Sequence, residues 1–152
     1  MDPHVAPHWH MIEDLRRQVL EAVAPLDDAA LNRQVPPLAN TIGVLLRHMA
    51  GSERYWVTEV AGGRPVNRNR DAEFSAPPAR KAELLAEIER VREESRAVLE
   101  RLTAADLLEE VEARRVRGVT RQTRAGALLH VTQHLAYHLG QIRYLTRLLA
   151  AG

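Results

Sequence analysis

Three histidines recur at intervals of four near the C-terminus: His130, His134 and His138, within LLHVTQHLAYHLGQI. Four residues is slightly more than one helical turn, so successive members share a face. Neutral imidazole is the commonest side-chain ligand for zinc, nickel or copper. A chain with 7 His and no Cys that sets three of them on one helical line is predicted to hold a metal ion there. Wound at about 100° per residue, with His134 as origin, His130 and His138 fall about 40° to either side, and Gln141 close to His134. Ala127, Leu145 and Leu148 share this sector, so the imidazoles are expected to face other helices.

Burying these rings is costly unless both nitrogens are engaged, at about 1–3 kcal/mol for each unpaired polar group. A metal satisfies one nitrogen per ring and leaves the other N–H for an acceptor. An open catalytic zinc site usually has three protein ligands, one more than a helical His pair provides. The candidates for the third are His48, His8, His10, His4 and His130. Periodicity sets His48 at the edge of its helix's apolar stripe, where it can face either a neighbour or solvent. His8 falls in an apolar stripe close to the chain end, and His4 and His10 read as solvated. The Glu that follows the first His in helical zinc proteases is Leu135 here, which argues against peptide hydrolysis by that route.

Four helical segments position these residues. The first, from about Pro7 to Ala24, carries Ile12, Leu15, Val19 and Val23 on one stripe. The second, about Thr41 to Ala61, is capped by Asn40 or Thr41 and ended by Gly62-Gly63. Its stripe runs from Ile42 to Val60 and has Glu53 in its middle, either paired with an Arg such as Arg16, set at a subunit boundary, or acting as a proton acceptor near the metal. The third, about Ala79 to Leu102, follows Pro77-Pro78 and sets a Glu/Arg face opposite Leu84, Ile88, Val91 and Leu99. The fourth, about Thr123 to Leu149, carries the histidines. Val111 to Arg121 is the one candidate for an extended piece, and GGRPVNRNRDAEFSAPP reads as a surface crossover. The expectation is an all-α fold over a single domain, residues 1–152: a four-helix bundle with a long crossover connection.

Composition limits the function classes. With 152 residues, 45% hydrophobic and 27% charged, the chain can bury one core. Lys+Arg 21 against Asp+Glu 20 leaves a net charge of +1, no field for nucleic acid. The absence of Cys excludes disulfides, thiolate-ligated metals and a cysteine nucleophile within the chain. No apolar run is long enough to span a membrane, and the first residues lack the pattern of a secretory signal, so a cytoplasmic location is expected.

Two stretches resemble the DinB-like superfamily, also called YfiT-like metalloenzymes. NTIGVLLRHMAGSERYW (Asn40 to Trp56) is similar to that family's second helix, and HVTQHLAYHLGQI (His130 to Ile142) to its closing helix. The order of the four segments is similar over nearly the whole chain. The resemblance implies a four-helix bundle holding one divalent metal ion per chain, zinc or nickel, on His48, His134 and His138. His130 matches a position often His in the family and usually not itself a ligand; Leu139 stands where many members have Arg.

The resemblance further implies a thiol S-transferase that uses a low-molecular-weight thiol of the bacillithiol, mycothiol or glutathione type on a small-molecule substrate. It implies a homodimer as well. Gln141, His130, Tyr55 and Glu53 are the residues expected to orient ligands or accept protons. The competing expectations are a metal-dependent hydrolase, with Glu53 or His130 as base, and a metal-binding stress-response protein without turnover.

Overall fold

The computed structural model describes residues 1–116 and 118–151. The protein is mostly helical, and four long helical elements fall where the apolar periodicity sets them. Helix α1 (Ala6–Val23) starts with Pro7 in its first turn, where the missing N–H breaks no bond. It buries Trp9, Ile12, Leu15, Val19 and Val23. A short helix, α2 (Asp28–Asn32), follows, capped by the Asp27 carboxylate, which accepts from the Ala30 N–H at 2.8 Å.

Helix α3 (Ile42–Glu53) begins where Thr41 Oγ1 accepts the Val44 N–H, and it continues into a π-helical segment over Arg54–Ala61. The wider π turn changes the phase of the side chains, so the adjacent residues Tyr55, Trp56, Val57 and Thr58 are all buried. Gly62 ends the segment against the Val98 side chain and the Thr58 carbonyl, with no room for a Cβ.

The stretch from 62 to 78, expected as a plain surface crossover, contains helix α4 (Arg70–Ser75). Asn69 caps it, and it packs on α3 with Glu73 buried. Helix α5 (Lys81–Leu99) starts after Pro77-Pro78, with Glu83 accepting from the Arg80 N–H. Its apolar face packs on α3 and the π segment, and Arg90 and Arg96 pair with neighbouring glutamates along the solvated face.

A 3₁₀ turn (Asp106–Leu108) leads into an antiparallel hairpin, β1 (Glu110–Arg115) and β2 (Gly118–Thr123), in register from Glu110 opposite Thr123 to Arg115 opposite Gly118. The stretch expected as a single extended piece, Val111 to Arg121, therefore covers most of both strands of this hairpin; Arg117, within it, lies outside the described residues. Helix α6 (Arg124–Ala151) runs against α1, α3 and the π segment. One core joins these faces, with Ile12, Leu31, Ile42, Leu46, Leu99, Leu128 and Ile142 fully buried. Among the described residues no helix is long and apolar enough to cross a membrane.

Glu53 proves to be a core ion pair. It and Arg16 are each 5% exposed, the Arg16 guanidinium bonds its carboxylate, and Ser95 Oγ donates to the same oxygen at 2.8 Å. Arg92 extends the network through Glu13 at 2.9 Å. A carboxylate in the middle of an apolar face is tolerated because α1 and α5 bring donors to it. Among the described residues Glu53 is bonded by Arg16 and Ser95 and by no histidine, which is the ion-pair alternative for this residue.

Candidate metal centre

Helix α6 presents His134 and His138 one turn apart, and α3 brings His48 against them. His134 Nε2 lies 3.0 Å from His48 Nε2 and 3.1 Å from His138 Nε2. His4 and His10 are exposed and His8 is half-buried on α1, outside this group. His130, one turn before His134, stacks on Trp56 with ring centroids 4.2 Å apart and does not enter the cluster.

The other ring nitrogens fix the tautomers. His48 Nδ1–H donates to Glu73 Oε2 at 2.7 Å, and His138 Nδ1–H donates to Gln141 Oε1 at 2.7 Å. Both Nε2 atoms of these rings therefore carry lone pairs aimed at His134 Nε2. At most one N–H can sit among the three nitrogens, so lone pairs face one another unless a cation separates them. Tetrahedral zinc with bonds of about 2.0–2.1 Å holds its nitrogens about 3.3–3.4 Å apart, a few tenths of an ångström wider than the spacing here. The donor set thus fits a divalent ion: three imidazoles in the correct tautomers, backed by a carboxylate and an amide.

The site's electrostatics follow from burial. Desolvation drives His134 down to about 2, helped by the charges of His138 and His48 that would share the cluster. His138 is lowered by burial, partly opposed by its bond to Gln141, and His130 by burial and by Arg115. His134 and His138 are thus kept neutral, the form that ligates metal. Burial pushes the Glu73 carboxyl up, but bonds from Arg68 and His48 outweigh it and hold Glu73 below its ordinary value as an anion.

Glu73 is the functional residue that sequence reasoning missed. Arg68 grips it with two bonds, Nε to Oε1 at 2.6 Å and Nη2 to Oε2 at 2.8 Å. It reaches His48 because Gly51, three residues further along α3, leaves the space its carboxylate occupies. Two signals were present: Asn69 as a cap with acidic residues following it, and a glycine one turn from a histidine in the middle of a helix.

A chamber opens beside the cluster. Its inner part, about 370 Å³, is lined by His48, His134, His130, Trp56, Tyr55 and Arg68, together with residues of the hairpin tip. Its outer part, about 500 Å³, continues past Arg70 and Arg115 toward Glu59 and Asp71. Tyr55 lines both parts, but its hydroxyl is engaged by the hairpin: it accepts from the Arg114 N–H at 2.7 Å and donates to the Arg114 carbonyl at 3.0 Å. Leu139, in the position where the resemblance leads one to expect Arg, is buried in the core.

Fold and site together define a helical protein whose three imidazoles could hold a metal ion. The chain belongs to the DinB superfamily: residues 11–142 match that family's sequence model. It is similar in structure to the conserved protein of a locus from Enterococcus faecalis, whose crystal structure superposes with a TM-score of 0.74 over 100% of this chain and 99% of that one, at 16% identity. That likeness is one of fold. No curated protein matches the sequence.

Proposed function

We propose that the protein is a metal-dependent thiol S-transferase, in which His48, His134 and His138 hold one zinc or nickel ion and a low-molecular-weight thiol of the bacillithiol, mycothiol or glutathione type is the cosubstrate. The observation that carries this reading is the meeting of three Nε2 atoms beside an open chamber that His48 and His134 line. When bound, the ion supplies the charge that makes a thiol a nucleophile near neutral pH. The chain's own residues do the remainder. Glu73 and Gln141 hold the His48 and His138 rings in place. Trp56 and His130 wall one side of the chamber, and Tyr55 anchors the hairpin over it. The sulfur would form a C–S bond to an electrophilic carbon as a leaving group such as chloride departs, with the thiol proton released to solvent. No cysteine is needed, because the sulfur arrives with the cosubstrate.

Hydrolysis and a role without turnover are less well supported. For hydrolysis, the two buried carboxylates near the cluster and its helix are already engaged: Glu53 is paired with Arg16, and Glu73 accepts from both Arg68 and His48. A purely binding role fits poorly with a cluster that opens onto several hundred Å³ of chamber. We also propose that the four long helices form the family's four-helix bundle and that the protein is a homodimer. Leu129, Tyr137, Tyr144 and Leu148 make an exposed apolar stripe along α6 that a second copy would cover.

The test is to load purified protein with zinc or nickel and assay glutathione, bacillithiol and mycothiol against a chlorinated dinitroaromatic, following chloride release. Turnover with one thiol, lost in His134→Ala, supports the reading. Stoichiometric metal without turnover on any thiol overturns it.

A further inference from the structure

The chamber beside the histidine cluster is walled by four arginines: Arg68, Arg70, Arg114 and Arg115. Among the described residues no acidic side chain lines its inner part. Arg68 is neutralised by its two bonds to Glu73. The other three meet no carboxylate within ion-pair distance among the described residues, although many arginines of this chain do, including Arg16, Arg17, Arg54, Arg80, Arg90, Arg92 and Arg96.

Two of the three are held by aromatic rings. The Arg70 guanidinium lies 4.8 Å from the Phe74 ring centroid, and Phe74 in turn packs on His48 at 4.7 Å. The Arg115 guanidinium lies 4.7 Å from Trp56, which packs on His130 at 4.2 Å. Each stack runs from an exposed arginine through an aromatic ring to a histidine. A guanidinium resting on a ring keeps its in-plane N–H donors free for a carboxylate or phosphate. Among the described residues only one such donor is used, Arg115 Nε to Thr120 Oγ1 at 3.1 Å. Arg114, beside Arg115 near the hairpin tip, is fixed through its backbone by the Tyr55 hydroxyl.

We infer that Arg70, Arg114 and Arg115 form an anion-binding subsite that selects ligands carrying carboxylate or phosphate oxygens and directs the remainder of the molecule toward the histidines. The inference deepens the transferase reading by naming the charge of the molecule that reaches the site; the recognition itself depends on the arginines and not on a thiol.

The experiment is isothermal titration of the metal-free protein at low ionic strength with glutarate, its neutral diamide and inorganic phosphate. The expected result is one-to-one binding of glutarate or phosphate, at least tenfold tighter than the diamide. Glutarate alone identifies carboxylate as the recognised group, phosphate alone a phosphoryl group. Each exposed arginine changed to Gln (R70Q, R114Q, R115Q) should weaken binding about tenfold or more, as expected for loss of a charge-assisted bond, with an unchanged circular-dichroism spectrum. Equal affinity for glutarate and its diamide, no binding of either anion, or binding unaltered in R114Q/R115Q overturns the inference. Anion binding that persists in a protein inactive with every thiol refutes the transferase reading alone. Thiol turnover in a protein that binds neither anion refutes the subsite alone.

Discussion

Gly51 gives the sharpest test of how the candidate metal centre is built. A Cβ at this position would overlap Glu73 Oε1 and lie only 2.8 Å from Glu73 Cδ, so in Gly51→Ala the carboxylate must move away from α3. The bond it would lose is the 2.7 Å contact with His48 Nδ1. Loss of such a carboxylate behind a metal-ligating histidine typically costs 10–100-fold in metal affinity, or about 1.4–2.7 kcal/mol. Alanine in a helix interior meanwhile stabilises by about 0.8–1 kcal/mol relative to glycine. The metal-free variant should therefore unfold at a denaturant concentration no lower than a modest strain penalty allows, while its zinc or nickel affinity falls by at least tenfold. Competition against a chromogenic chelator measures the affinity and urea titration with EDTA the stability. Glu73→Gln should lose affinity to a similar degree, and the double variant should lose little more than either alone, since both changes break one contact. Metal affinity equal to wild type in Gly51→Ala would refute the assignment of Glu73 as the residue that fixes His48.

His48→Ala, His134→Ala and His138→Ala should each abolish stoichiometric metal binding, whereas His130→Ala should retain it, since His130 packs on Trp56 outside the cluster; metal analysis after dialysis checks both. Glu53→Ala should destabilise by about 3–5 kcal/mol, because it leaves the Arg16 charge buried without its partner, while chelator competition shows metal affinity unchanged. The metal-free protein should lose stability on acidification: His130, His134 and His138 all have lowered values in the fold, so the unfolded chain binds more protons below about pH 6.5. That contribution is fully present above the unfolded value and falls by up to about 1.4 kcal/mol per pH unit for each group as pH drops toward the folded values. Glu73, also lowered, adds a loss below its ordinary value near 4.5. Urea midpoints with EDTA between pH 7.5 and 4.5 should decline accordingly, and a flat profile would contradict the burial of neutral rings.

The helices were legible because their signals are local. Apolar spacing of three and four, Pro7 in a first turn, a cap at Asn40 or Thr41 (Thr41 in the structure) and Pro77-Pro78 before α5 all act within a few residues of where they are written. The same locality set His134 and His138 on one face of α6. It left His48 at a stripe edge between solvent and burial; packing of α3 on α6 leaves it 7% exposed. The fate of Glu53 was likewise undecided, because its partners Arg16 and Ser95 come from two other helices.

The sequence by itself determined the elements and the pair of imidazoles one turn apart, because helical periodicity converts spacing directly into direction. Only the tertiary structure decided what meets that pair: His48 from α3, Glu73 from a short helix inside what read as a loop, and arginines carried to the chamber by a hairpin. These contacts join residues from separate parts of the chain, and no local propensity encodes their approach. They are fixed by burial of the helix faces in one core and by the space that Gly51 leaves open.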